Sequence, residues 1–225
     1  MKKWMIFLLA AWLLTSCGLT SDLTRGKLYP GMYEEKPLTL LIMPPINNSA
    51  NVEAKELLYT SISRPLAEAG YYVIPPTLSM AVLQQESAYD AELFLDRPLG
   101  QFRQFFGADA VVFSVIESWA KQGVGIQTKL RYFIKSTHTD EVLFDRTCDL
   151  FLDLSVSSDE QNGLLGALAD LAVSALNTAL TDNIEAARKA NYYIFKDLPA
   201  GRYSEHYLKD QDYLTEPRDI SKTVK

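Results

Sequence analysis

The chain has 225 residues, of which 48% are hydrophobic and 22% charged, with a formal net charge of −6 and only two cysteines. These proportions suit one globular domain of ordinary size with flanking segments. The acidic balance argues against a nucleic-acid binder, because phosphate recognition needs a basic patch.

The chain opens with Lys2 and Lys3, an apolar run from Trp4 to Leu14, and then Leu14-Thr15-Ser16-Cys17. A positive region, an apolar region and small residues at a cut make a secretory signal. The apolar run falls well short of the ~20 residues that cross a bilayer. With a cysteine at the cut, the stretch resembles the bacterial lipobox. That resemblance implies a diacylglycerol on the Cys17 thiol, cleavage before Cys17, and an acyl chain such as palmitate on the new amine. Loss of residues 1–16 removes Lys2 and Lys3 and takes the formal charge from −6 to about −8. With no polybasic segment, anchoring falls to the acyl chains. Residues 18–37 carry Gly, Ser, Thr and Pro without a sustained period. They read as a mobile tether in which Leu23, Leu28, Tyr29 and Met32 dock locally at most.

Residues 38–43, an apolar run bounded by prolines, predict a strand buried on both faces. Pro44 to Ser49 is the loop after it. A helix is predicted from Val52 to Ala69, capped by Asn51 or Ser49, kinked at Pro65 and ended by Gly70. Tyr71–Ile74 is a second strand, and Thr77–Gln85 a short helix. Asp90–Leu95 is a turn or helix, and Pro98 opens a helix to Phe106. Ala110–Trp119 is a third strand. From Gln122 the pattern changes to two hairpins, with alternating strands over 126–136 and 142–154. Ser157 or Ser158 caps a long helix from Asp159 to Lys189, with Gln161 completing a capping box. Leu164, Leu168, Leu171, Ala175, Leu176 and Leu180 form its buried stripe, and Thr181-Asp182-Asn183 interrupts it. Disorder is predicted from about Pro217.

The order β-α-β-α-β-β-β-α gives an α/β fold: a three-layer mixed sheet, parallel at its core and extended by antiparallel hairpins. The chain divides into a signal peptide (1–16), a lipidated N-terminus and tether (17–37), a single α/β domain (38–200) and a polar, partly disordered tail (201–225).

Several phrases resemble a known family: Leu40-Leu41-Ile42-Met43-Pro44-Pro45-Ile46-Asn47-Asn48-Ser49, Glu53-Ala54-Lys55-Glu56-Leu57-Leu58-Tyr59-Thr60, Arg64 to Val73, and Gly107-Ala108-Asp109-Ala110. They are similar to the uncharacterised bacterial outer-membrane lipoproteins that include a meningococcal vaccine-candidate antigen. The resemblance implies a fold akin to the Tol translocation protein N-terminal domain and the curli secretion lipoprotein. It also implies a homodimer and work with a curli-secretion-like lipoprotein partner in export or envelope assembly. It carries no catalytic residues and no cofactor. Gly18 follows the cysteine where an aspartate favours inner-membrane retention in enteric-type bacteria, which tilts the expected location to the outer membrane.

No residue pattern announces an enzyme. Ser114 lies in an apolar strand and no Gly-x-Ser-x-Gly is present. His138 and His206 stand outside metal-ligand spacings, and Asp90, Glu92 and Asp96 read as a solvated acidic face. Cys148 alternates with Leu150, Leu152 and Leu154, a pattern that favours an inert core thiol over a redox or intermolecular role. Two groups remain as sites. Asn47, Asn48 and Ser49, at the carboxyl end of a parallel strand, are a candidate ligand loop, although capping explains the same residues. Tyr192, Tyr193 and Phe195 are a candidate partner surface. Phe102, Phe105 and Phe106, at helical offsets, read mostly as core. The expectation is a periplasm-facing, non-enzymatic interaction module, with a small-ligand or envelope-polymer binder as the alternative.

Overall fold

The computed structural model describes residues 23–86, 88–155 and 171–225, the side chains of 171–181 excepted. At its centre, strand β1 (Thr39–Ile42) divides its side chains between two separate cores. Leu40 and Ile42 enter one cluster, and Leu41 and the following Met43 enter the other. Strand β4 (Ala110–Gln122) repeats the division, with Ala110, Val112 and Ile116 on the first face and Val111 and Phe113 on the second. Strands apolar on both faces require covering layers on both sides, and this produces the three-layer α/β architecture.

Strand β1 pairs in parallel with β4 and with β3 (Tyr72–Val73). Strand β4 then runs antiparallel to β5 (Gly125–Ser136), and β5 to β6 (Val142–Asp153). The sheet order is β3-β1-β4-β5-β6-β7, where β7 is Asp219–Val224 and a short strand β2 (Ile46–Asn47) also pairs with β4. One face carries α1 (Arg25–Leu28), α2 (Pro30–Glu35), α3 (Glu53–Ser61), α4 (Ser63–Glu68) and α7 (Leu171–Phe195). The other carries α5 (Pro76–Gln85), a 3-10 turn (Ala91–Phe94) and α6 (Gly100–Phe106). The mixed three-layer sheet expected from the sequence is present.

Several elements differ from expectation. The helix predicted over 52–69 is two helices parted at Ile62. Pro65 has no N–H to offer the Ser61 carbonyl, and the Ser61 hydroxyl bonds back to the Leu57 carbonyl at 2.6 Å. Ile46 and Asn47, assigned to a loop, form β2 against Val115 and Ile116. The predicted cap at Ser157–Gln161 and the stripe residues Leu164 and Leu168 lie outside the described residues. Within them, α7 passes through Asp182 and Asn183 unbroken. Those side chains turn outward to β4, Asn183 Oδ1 accepting from Trp119 Nε1 at 2.9 Å and Asp182 pairing with Lys121 at 3.0 Å. The helix also continues past Lys189 to Phe195, so the aromatic group forms its last turns.

The flanking segments depart furthest. From Leu23 onward the expected tether is folded: Thr24 bridges Leu214, and Tyr29 and Met32 are buried. The tail expected to be disordered closes the sheet as β7, with Thr147–Leu152 paired to Asp219–Val224. Its sequence looks disordered because it packs little apolar surface, with Ile220 alone buried, and is held mainly by the backbone ladder. Tail and helix meet at two glycines. Gly70, at φ +96°, would drive a Cβ to 2.6 Å from the Ser204 nitrogen, and the approach lets the Gly201 N–H reach the Ala69 carbonyl at 2.8 Å.

Arg146 fastens these parts together. It is fully buried on β6, donating to the Ile194 carbonyl (3.2 Å), Asp197 (3.1 Å), Thr215 Oγ1 (3.1 Å) and the Glu216 carbonyl (3.3 Å). Arg146→Met is expected to cost about 3 kcal/mol or more by stranding Asp197 and freeing the tail, as measured by denaturant unfolding. Acid should act on the same tail. Burial alone raises the Glu216 carboxyl, yet hydrogen bonds from Lys222, Tyr193 and Lys196 hold it down at about 2, below its ordinary 4.5. A group held low contributes stability above its ordinary value and loses it as pH falls through the folded one. Protection of the β7 amides, taken as exchange relative to the intrinsic rate at each pH, is therefore expected to fall as pH drops from about 4.5 toward about 2, and Glu216→Gln to flatten that dependence.

Candidate functional site

The loop after β1 serves its own backbone. Asn47 Oδ1 accepts from the Ser49 amide (3.0 Å) and hydroxyl (2.7 Å), while Asn47 Nδ2 donates to the Asn51 carbonyl (2.8 Å). Asn51 Oδ1 receives the Ala54 amide at 3.0 Å in the first turn of α3. The Asn48 amide extends the parallel ladder to the Ile116 carbonyl at 2.9 Å. These are the bonds of an Asx turn and a helix start. Of the three candidate ligand residues, only Asn48 is exposed.

The aromatic trio at the end of α7 is dispersed. Phe195 is buried against Tyr132 and Phe144. Tyr193 donates to Glu216 Oε2 at 2.7 Å beneath the Lys196 ammonium and holds the tail. Tyr192 alone faces outward, beside Arg64. Successive helical positions lie about 100° apart, so residues 192, 193 and 195 cannot share one face. Asn191, just before them, is buried and accepts from the Tyr132 hydroxyl at 2.5 Å while donating to the Leu58 carbonyl and the Ser61 hydroxyl.

The exposed aromatic surface lies on the other side of the sheet. Between α5, the 3-10 turn and α6 runs a groove of about 310 Å³, lined by Leu83, Phe94, Phe102 and Phe106 and bordered by Leu93 and Phe105. Phe102 and Phe94 belong to the core and meet edge to face at 4.9 Å. Phe105 is 69% exposed and Leu93 46%, so large apolar side chains stand in water at the rim. Glu86 and Arg97 supply its charged border. Sequence reasoning read the 102–106 aromatics mostly as core, which holds for Phe102 and in part for Phe106, packed against the same cluster, and fails for Phe105. Offsets of three and four place 102, 105 and 106 within about 100° on one helical face, so local spacing gave no sign that Phe105 stands in water. Chemically the groove offers an apolar slot with one charge of each sign at its edge. It suits a protruding aliphatic or aromatic side chain.

The remaining candidates are absorbed into structure. His138 Nδ1 contacts Arg103 at 2.7 Å in the β5–β6 turn, and His206 packs on Tyr213. Ser114 is buried inside β4. A hydrogen bond with Asp90 and burial raise the Glu92 carboxyl above the usual range, so the acidic cluster is partly self-paired.

Comparison with known proteins places residues 28–200 in a match to the family model described as "Putative lipoprotein GNA1162-like". The chain is 28% identical over 156 residues to "Putative lipoprotein NMB1124/NMB1162" of Neisseria meningitidis serogroup B, spanning 68% of this chain and 72% of that protein. Among solved structures it is similar to lipoprotein GNA1162 from Neisseria meningitidis, at 24% identity and a TM-score of 0.46, covering 64% of this chain and 99% of that one. A PelC dodecamer from Paraburkholderia phytofirmans aligns at 10% identity with a TM-score of 0.44, covering 74% and 91%.

Cys148 lies apart from the groove, fully buried on the inner face of β6. Burial pushes its thiol up to about 12, so almost no thiolate exists at neutral pH. Native protein is expected to leave Cys148 unmodified by a water-soluble maleimide at pH 7.5, and denaturant to expose one reactive thiol there, as read by intact mass.

Proposed function

From the premise that the chain belongs to the GNA1162-like lipoprotein family, we propose that it is a non-enzymatic protein-interaction module, lipid-anchored through Cys17 to the bacterial outer membrane. It faces the periplasm and serves export or envelope assembly beside a secretion-channel lipoprotein. The groove between α5 and α6 receives an apolar anchor of that partner. The observation that carries this reading is the pair of rim residues Phe105 and Leu93, exposed beside an apolar slot. Large apolar side chains in water cost free energy that a partner recovers, about 1.5–3 kcal/mol for each one fully covered. One or two such anchors give weak binding in free solution. Confinement of both partners to one membrane raises their effective concentration and makes weak contacts sufficient. Anchoring at Cys17 is supported by the Leu14-Thr15-Ser16-Cys17 layout and the lipoprotein family, and the outer-membrane address by Gly18.

The test is site-specific photocrosslinking in producing cells, with the photoreactive residue at Phe105 or, as control, at Asp149 on the open face of β6. Adducts with an envelope protein are expected from position 105 and not from 149. Adding Leu93→Asp should reduce them about tenfold. Adducts of twice the chain's mass would identify a second copy as the occupant, the homodimer that the family resemblance suggests. Equal labelling from both positions, or none from 105, would count against the groove.

A further inference from the structure

The segment that follows the anchor is bolted to the domain. Arg25 donates Nη1 to Asp210 at 2.7 Å and Nη2 to the Lys196 carbonyl at 3.0 Å. Asp210 is fully buried and also accepts from the Tyr33 hydroxyl at 3.1 Å and the Ala200 amide at 2.9 Å. The backbone adds Arg25 N–H to the Tyr213 carbonyl at 3.0 Å and Thr215 N–H to the Leu23 carbonyl at 2.9 Å. Leu23 is thus fixed against residues 213–215. Cys17 precedes Leu23 by only six peptide steps, a reach of about 20 Å fully extended. With acyl chains on Cys17 in the bilayer, Leu23 and the surface rigidly joined to it stay within that distance of the lipid.

That surface is apolar where the rest of the chain is acidic. Leu214 is 67% exposed, Tyr213 45% and Leu23 38%. Across 23–27 and 205–214 the exposed charges Lys27 and Lys209 balance Glu205 and Asp212, in a chain near −8 after cleavage. Leucine with tyrosine is the combination that partitions to the boundary between headgroups and acyl chains. The segment Leu23–Glu35 packs through Tyr29 and Met32 into the core beneath α3 and α7, whereas the groove belongs to the opposite core. We propose that Leu23, Tyr213 and Leu214 form a membrane-docking face that rests on the phospholipid interface and turns the α5–α6 groove away from the bilayer. The proposal rests on the reading of Cys17 as acylated.

The full-length lipoprotein is purified from producing cells and its acylation at Cys17 read by intact mass. Leu214→Cys and Phe105→Cys are each labelled with a polarity-sensitive fluorophore, Cys148 being buried, and reconstituted in phosphatidylethanolamine–phosphatidylglycerol vesicles. The label at 214 is expected to shift to the blue and to be quenched by lipid-borne nitroxide, with the label at 105 unchanged. On acylated protein, a 214 label as aqueous as the one at 105 overturns the docking face while leaving the anchor intact. A blue shift without nitroxide quenching overturns it too, since protein then covers the site. An unmodified mass at Cys17 removes the anchor and the docking face together.

Discussion

The burial of the Arg146 guanidinium is the constraint on which the rest of the molecule depends. Removing an ionised group from water costs several kcal/mol, which only close pairing and full hydrogen bonding offset. On β6, between Phe144 and Cys148, no neighbour on the strand can provide that. The acceptors come from the end of α7 and from residues 215–216, and the ring of Tyr29 lies 6.0 Å away on the N-terminal segment. Three segments remote in sequence must therefore arrive together for the charge to be tolerated. Arg146 Nε and the Tyr29 hydroxyl remain buried without hydrogen-bond partners among the described residues, so the arrangement retains an uncompensated cost. Such a group contributes more to uniqueness than to net stability.

The two cores divide the labour of the molecule. The face beneath α3, α4 and α7 collects the polar fastenings: Arg146 with Asp197, Arg25 with Asp210, and Asn191 with Tyr132. The face beneath α5 and α6 is mostly apolar, with Lys135 donating to the Leu95 carbonyl at 2.7 Å, and it spills into water at Phe105 and Leu93. A face stitched by directional bonds is rigid and suits attachment. A face held by dispersion, through short helices, is better suited to accommodate an incoming side chain.

How far the sequence disclosed this depends on the range over which each feature is determined. The alternation of Leu40, Leu41, Ile42 and Met43 is local, and it announces a doubly covered strand. The hairpins around β5 are legible for the same reason. The break at Ile62 follows from Pro65, yet its place depends on which carbonyl loses a donor. The docked flanks were not legible: Arg25 finds Asp210 across most of the chain, Thr147 finds Asp219 across about a third of it, and the polar composition of 201–225 resembles that of a solvated tail. The aromatic clusters were legible, but which of their members stand in water was not. Phe102, Phe105 and Phe106 share one helical face and read as core, so only the placement of neighbouring elements, with Leu93 beside Phe105 at the rim, separates the exposed ring from the buried one. In α7 the added turns to Phe195 rotate the trio apart.

The pairing of Thr24 with Leu214, and of β6 with β7, has a consequence for how the protein is made. Neither contact exists until residues beyond 213 are present. A chain made from its N-terminus therefore emerges with Arg146 short of its acceptors at 215 and 216 and its outer strand missing. It meets them only when synthesis is nearly complete. Closure of the domain is postponed by the same bonds that later lock it. Delayed closure and final rigidity thus come from one set of contacts.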